Sequence, residues 1–67
     1  MKVFVNDQPK EIAEEKDLAS LTEEMGLLEV RGWAFAVNDT IIPKTQLKDT
    51  VLMEGDRILL IKATQGG

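Results

Sequence analysis

Short segments of β-branched and aromatic residues, bounded by turn residues, predict β-strands along most of the chain. The first is residues 2–6, in which Val3 and Val5 share one face of a strand. Turn-forming residues at 6–9 lead into residues 10–12, which can return as a second strand. The first twelve residues therefore predict a β-hairpin.

A change of period after residue 16 predicts one short α-helix. Leu18, Leu21 and Met25 are spaced as on one face of a helix. Asp17 stands where an N-terminal cap is wanted, and Gly26 stands where a left-handed C-terminal residue is wanted. We expect a helix of about two turns between these two signals.

A second hairpin and a final strand follow. Residues 33–37 alternate large with small side chains, Asn38 and Asp39 favour a tight turn, and residues 40–42 run back. The last segment, residues 57–62, is apolar on both faces, which is typical of a strand in the middle of a sheet.

The order of these elements predicts an α+β fold. We expect the last strand to lie beside the first and parallel to it. Parallel neighbours need a long crossover, and the connection from the first hairpin through the helix would supply it. We expect a mixed sheet of four to five strands with one helix packed across it. A domain over residues 1–63 would be followed by a flexible tail, residues 64–67.

Composition says more about the function of the chain than about its fold. The chain has 67 residues, of which 43% are hydrophobic, and a chain of this size buries only about 60% of its surface on folding. It contains no cysteine and no histidine, so it has no thiolate nucleophile, no sulfur ligand for a metal and no side chain that titrates near neutrality without perturbation. These absences argue against most enzyme chemistry carried out by the chain alone.

Charge argues against nucleic acid as a partner, and the lack of a long apolar run argues against a membrane. Acidic residues outnumber basic ones by 12 to 8, a net charge of −4, and the basic residues are scattered. The chain has no pattern of a signal peptide and no apolar run of membrane-spanning length, so we expect a cytoplasmic protein.

Seven of the acids lie between residues 11 and 29, and a solvated helix face is a simpler explanation for them than an acidic docking surface.

The candidate chemistry lies at the end of the sequence. Gly66 and Gly67 close it directly after the last strand, preceded by Thr64 and Gln65. Glycines let a backbone enter a slot too narrow for a Cβ atom. The terminal carboxylate is ionised at neutral pH and is a poor electrophile, so it needs activation, for example by adenylation with ATP. The interior glycines are isolated and form no phosphate-binding loop, so a partner would supply the activation.

These features together resemble the ThiS family, the sulfur carriers of thiamin biosynthesis. The resemblance covers essentially the whole chain and rests on four stretches and their order: residues 36–39, 42–45, 54–60 and 66–67.

The resemblance implies a ubiquitin-like β-grasp fold and a carrier that is not itself an enzyme. It implies that a ThiF-like adenylyltransferase, using ATP and magnesium, adenylates Gly67, while the carrier binds no cofactor or metal of its own. Sulfur from a donor protein then makes a thiocarboxylate, which thiazole synthase, a ThiG-like enzyme, uses for the thiazole ring of thiamin. Gly66, Gln65 and Thr64 would be recognised as the tail enters the enzyme.

Strand alternation also predicts a docking face on the side of the sheet away from the helix. Its members would be Phe4, Ala34, Ala36, Leu59 and Ile61. A contiguous apolar face marks a protein interface, whereas scattered apolar side chains are ordinary surface.

Three other functions stay open at this point. One is a carrier like the small subunit of molybdopterin synthase, which usually has a longer chain. Another is a ubiquitin-like modifier joined to lysines through Gly67. The last is an interaction domain whose tail is inert.

Overall fold

The computed structural model describes residues 1–26 and 32–62. Within these ranges the chain forms five strands, one α-helix and one turn of 3₁₀ helix. In chain order they are β1 (Lys2–Val5), β2 (Gln8–Glu11), α1 (Leu18–Glu24), β3 (Trp33–Val37), β4 (Thr40–Ile42), the 3₁₀ helix (Lys44–Gln46) and β5 (Arg57–Lys62).

The strands form one mixed sheet in the order β2-β1-β5-β3-β4. β5 lies in the middle, parallel to β1 and antiparallel to β3. This confirms the predicted α+β architecture and the central position of the strand that is apolar on both faces. The helix lies in the connection from β2, at one edge, to β3, on the far side of β5, and this connection places it across one side of the sheet.

Both hairpins turn on an Asn-Asp pair. Asn6 and Asp7 have φ values of 50° and 69°, and Asn38 and Asp39 have 50° and 72°, the left-handed values that a two-residue hairpin loop needs at both positions. The predicted turn over residues 6–9 was too long, because Asn6 and Asp7 alone reverse the chain. β2 therefore starts at Gln8 and includes a proline, which an edge strand tolerates.

The helix begins and ends where its sequence signals predict. The Asp17 side chain accepts a hydrogen bond of 2.7 Å from the Ser20 backbone N–H, and Gly26 follows the helix with a φ of 81°. Leu18 and Leu21 are fully buried against the sheet, whereas Met25 stays exposed. The helix thus fixes one face of the sheet as the inner face.

The core lies between the helix and this inner face. It contains Val3, Val5, Ile12, Leu18, Leu21, Phe35, Leu47, Leu52, Ile58 and Leu60. Leu47 and Leu52 belong to the connection between β4 and β5, which hydrogen bonds to the start of the helix through Leu18 N to Thr50 O and Leu52 N to Lys16 O, both 2.9 Å. No helix in the described part of the chain is long and apolar enough to cross a membrane.

Candidate functional site

The side of the sheet opposite the helix carries the five residues of the expected docking face. Ala36 pairs with Leu59 and Ala34 pairs with Ile61 across β3 and β5, and Phe4 pairs with Arg57 across β1 and β5. Directly paired residues project to the same side of a sheet. The structure therefore brings all five residues to one surface.

The same register adds two residues that the sequence reasoning missed. Ile41 pairs with Ala36 across β3 and β4, and Arg57 belongs to the same alternating set on β5 as Leu59 and Ile61. A two-residue turn at Asn38 and Asp39 would have placed Ile41 opposite Ala36, because the turn length sets the register. We give the name outer face to the seven residues of this surface on β1, β3, β4 and β5 that concern the docking: Phe4, Ala34, Ala36, Ile41, Arg57, Leu59 and Ile61.

The apolar area of the outer face is contributed unequally. Ile41 is 64% exposed, Leu59 47% and Ile61 44%, and Phe4 is half-buried. Ala36, which the alternation places among the docking residues, is only 4% exposed. Its small side chain lies between two larger register partners, Leu59 and Ile41. It therefore lies at the base of the face and offers little area for contact with a partner.

A shallow pocket of about 210 Å³ lies on the outer face. Phe4, Ala36 and Leu59 supply its apolar lining, and Asn6, Asp7, Asp39, Arg57 and Ile58 complete it. Arg57 Nη2 lies 3.0 Å from Asp39 Oδ2, so the cation on the face is paired to a carboxylate of the β3–β4 turn.

Two asparagine side chains hold β5 from opposite edges. Asn6 Oδ1 accepts from the Leu60 backbone N–H at 2.8 Å, and its Nδ2 donates to the Leu60 carbonyl at 3.3 Å. Asn38 Oδ1 accepts from the Arg57 backbone N–H at 2.9 Å. Asn6 thereby continues the pairing of β1 with β5 past the last residue of β1. Both turns fix the strand that leads into the tail.

The expected tail residues Thr64, Gln65, Gly66 and Gly67 lie outside the described residues. β5 ends at Lys62, five residues before Gly67. Five extended residues span at most about 17 Å, which sets how far Gly67 can reach from the end of the sheet. β5 therefore contributes Arg57, Leu59 and Ile61 to the outer face and also leads into the tail.

Comparison with known proteins places the whole chain in one group. The model of the ThiS family matches residues 3–67. The sulfur carrier protein ThiS of Escherichia coli K12 is 31% identical over 67 residues, which is all of both chains.

Solved structures agree on the fold. The crystal structure of the thiamine biosynthesis protein ThiS from Geobacter metallireducens superposes with a TM-score of 0.87 at 19% identity, over all of both chains. The solution structure of a thiamine biosynthesis protein from the same organism gives a TM-score of 0.81, also at 19% identity, over all of this chain and 88% of the other. The five-stranded mixed sheet with one helix is the ubiquitin-like β-grasp, and this chain belongs to the ThiS family of sulfur carrier proteins.

Proposed function

We propose that this chain carries sulfur as a thiocarboxylate on Gly67 and delivers it for the thiazole ring of thiamin. The observation that carries the proposal is the family match over residues 3–67, which runs through the Gly66-Gly67 pair. Membership of a sulfur carrier family calls for an atom that can hold sulfur, and a chain without cysteine has no thiol to do so. We place the sulfur on the carboxylate of Gly67, at the end of the stretch that the family model matches.

The chemistry takes place in two steps, both in the active site of a partner. A Gly67 carboxylate oxygen attacks the α-phosphorus of ATP, and pyrophosphate leaves to give an acyl-adenylate. A sulfide equivalent from a donor protein then attacks the acyl carbon, and AMP leaves with its electron pair. The product is a thiocarboxylate, in which one sulfur replaces one carboxylate oxygen. ATP and magnesium belong to the ThiF-like adenylyltransferase, so the carrier's part is to present the carboxylate.

The tail residues serve access and recognition. Gly66 has no side chain, so its backbone can enter a narrow slot and leave the Gly67 carbonyl open to attack. Thr64 and Gln65 would be read by the enzyme where the tail leaves the domain. Five residues beyond Lys62 give Gly67 the reach to enter an active site while the domain stays outside it.

The outer face is the surface on which the partners dock, first the adenylyltransferase and then thiazole synthase. Leu59 and Ile61 lie on β5, only a few residues before the tail. An enzyme seated on them meets the tail within about 17 Å of Lys62. Exposed Ile41, Leu59 and Ile61, together with the half-buried Phe4 and Ala34, form a larger patch across four adjacent strands than isolated surface residues would.

The proposal is tested by incubating the chain with the adenylyltransferase, ATP-magnesium and a sulfur donor, followed by mass spectrometry of the C-terminal peptide. We expect a gain equal to the replacement of one oxygen by sulfur, and no gain in a variant that lacks Gly67. The thiocarboxylate should then support thiazole formation with thiazole synthase. A product accepted only by the large subunit of molybdopterin synthase would move the carrier to that pathway, and isopeptide conjugates in place of a thiocarboxylate would identify a modifier.

A further inference from the structure

Arg57 is the charged residue among the seven that define the outer face. Its cross-strand neighbour on β1 is Phe4, and Leu59 follows it on the same side of β5. All three side chains line the pocket of about 210 Å³. A partner that covers Phe4 and Leu59 therefore also covers the guanidinium group.

The fold has little need of this side chain. The backbone of Arg57 is held by Asn38, which accepts from its N–H at 2.9 Å and donates its own N–H to the Arg57 carbonyl at 2.8 Å. The ion pair with Asp39 is open to solvent, since the two side chains are 63% and 85% exposed. Exposed ion pairs contribute little to stability. The arginine side chain is thus available for another role.

The hydrogen-bonding capacity of the guanidinium indicates what that role requires. It has five N–H donors, and Asp39 is bonded to Nη2 alone. In the free protein, water serves the remaining donors. When a partner excludes that water, donors left without acceptors cost free energy, and a carboxylate in a two-bond contact offsets the loss best.

We propose that the adenylyltransferase presents a carboxylate to Arg57, and that this contact decides which proteins accept the outer face. The inference rests on the proposed function, because it takes the adenylyltransferase as the occupant of the face. A partner with an apolar surface but no acceptor at this position would bury an incompletely bonded cation and be rejected. The contact therefore determines which partners bind, as well as how tightly they bind.

A basic side chain of the enzyme is the opposing possibility, since Asp7 and Asp39 also line the pocket. Both carboxylates lie in the hairpin turns at the ends of strands, and both are exposed. In the free protein the Asp39 side chain is 85% exposed, against 63% for that of Arg57, whose register partner is Phe4. The position of the cation on the strand is why we favour a carboxylate in the partner.

Replacing Arg57 with leucine gives opposite results under the two main accounts. If the face binds through apolar contact alone, Arg57→Leu enlarges the apolar area and lowers the KM for the carrier in pyrophosphate release by the adenylyltransferase. We expect instead that the KM rises at least about tenfold with little change in kcat, because one partner of a buried charge pair is missing. The KM of the unaltered chain should also rise with ionic strength, and that salt dependence should weaken in Arg57→Leu. An unchanged or lower KM would overturn the inference.

Two further variants separate a contact with the enzyme from the internal ion pair. Asp39→Asn frees the guanidinium, so the KM should stay the same or fall; a raised KM would indicate a basic side chain in the enzyme. The exchange of Asp39→Arg with Arg57→Asp keeps an internal pair and should remain impaired, whereas full recovery of the KM would show that only the internal pair matters.

Lys48→Leu is the matched control. It removes an exposed positive charge next to Leu47, whose carbonyl accepts from the helix residue Ala19 at 3.1 Å, and it should leave the KM unchanged. Thermal unfolding of each variant shows that the domain is intact. If the unaltered chain releases no pyrophosphate, the proposed function fails; if it does and Arg57→Leu behaves like it, only this inference fails.

Discussion

At the scale of single residues, the asparagines of the two hairpin turns each have two structural roles. Their left-handed φ values close the turns, and their side chains hydrogen bond to the backbone of β5. Few residue types adopt positive φ without strain while also offering both a donor and an acceptor. The Asn-Asp pairs could be recognised as turns from the sequence, but the bonds to β5 could not, because they join Asn6 to a residue 54 positions away.

Asn6→Gly tests this second role directly. Glycine keeps the backbone conformation and removes the side chain, so the part-buried Leu60 N–H and C=O lose their partner on this edge. We expect a loss of about 1–3 kcal/mol in the free energy of unfolding, measured by urea denaturation. Asp7→Gly, in the same turn at a φ of 69°, keeps the Asn6 bonds and should cost less. Equal stability of Asn6→Gly and the unaltered chain would refute the role of the side chain.

Gly66→Val tests the role of the penultimate residue. The branched side chain should block entry of the tail into the adenylyltransferase, because a slot shaped for glycine has no room for a Cβ substituent. Pyrophosphate release should fall by at least about tenfold, a loss of about 1.4 kcal/mol in transition-state stabilisation. The melting temperature should not change, since the residue lies beyond the last strand. Adenylation at the normal rate would contradict the slot, and Gly66→Ala should give an intermediate rate.

At the scale of elements, the hairpins, the helix and the central strand were predictable, because each has a local signal. The helix has an N-terminal cap, apolar residues at helical spacing and a glycine after its end. β5 is six residues long and has apolar side chains on both faces. The start of β2 and the 3₁₀ helix at Lys44–Gln46 were not predicted. Tertiary contacts decide both: β2 is extended by its pairing with β1, and the connection after β4 is held by Leu47 and Leu52 in the core.

The Asp17 cap is the element-scale prediction. Asp17→Ala removes the acceptor for the Ser20 N–H and should lower the free energy of unfolding by about 1 kcal/mol. Asp17→Asn keeps an oxygen in the same place and should retain most of the stability. Denaturant titrations of the two variants distinguish the cap from a general effect of charge, which both substitutions remove. An asparagine variant as unstable as the alanine variant would assign the effect to charge.

At the scale of the whole molecule, the strand that leads into the tail, β5, also carries the middle of the outer face. The helix covers the inner face, so the outer face has no covering element among the described residues. Alternation in the sequence could predict its members on β1, β3 and β5. When one side of an apolar central strand packs on the helix, its other side must lie on the opposite surface of the sheet. The alternation on β5 also includes Arg57, and the two-residue turn at Asn38 and Asp39 would have added Ile41. The tail residues stay a prediction.

Phe4→Glu tests the outer face as a whole. A charge beside Leu59 should weaken binding to the adenylyltransferase and to thiazole synthase by at least about tenfold, because docking would desolvate it. The fold should persist, since Phe4 is only half-buried. Met53→Glu places the same charge on an exposed residue outside the face and should bind normally in calorimetry. Unchanged binding of Phe4→Glu to both enzymes would remove the face from the account.

The central claim is that the terminal carboxylate carries the sulfur, and the most direct measurement is the intact mass of the untagged protein isolated from its native host. We expect a fraction of the chain to be heavier by the difference between one sulfur and one oxygen, with the change confined to the peptide that ends in Gly67. Two results would contradict the claim. One is an unmodified mass together with Gly67 in isopeptide linkage to other proteins. The other is an unmodified mass that persists after incubation with the adenylyltransferase, ATP-magnesium and a sulfur donor.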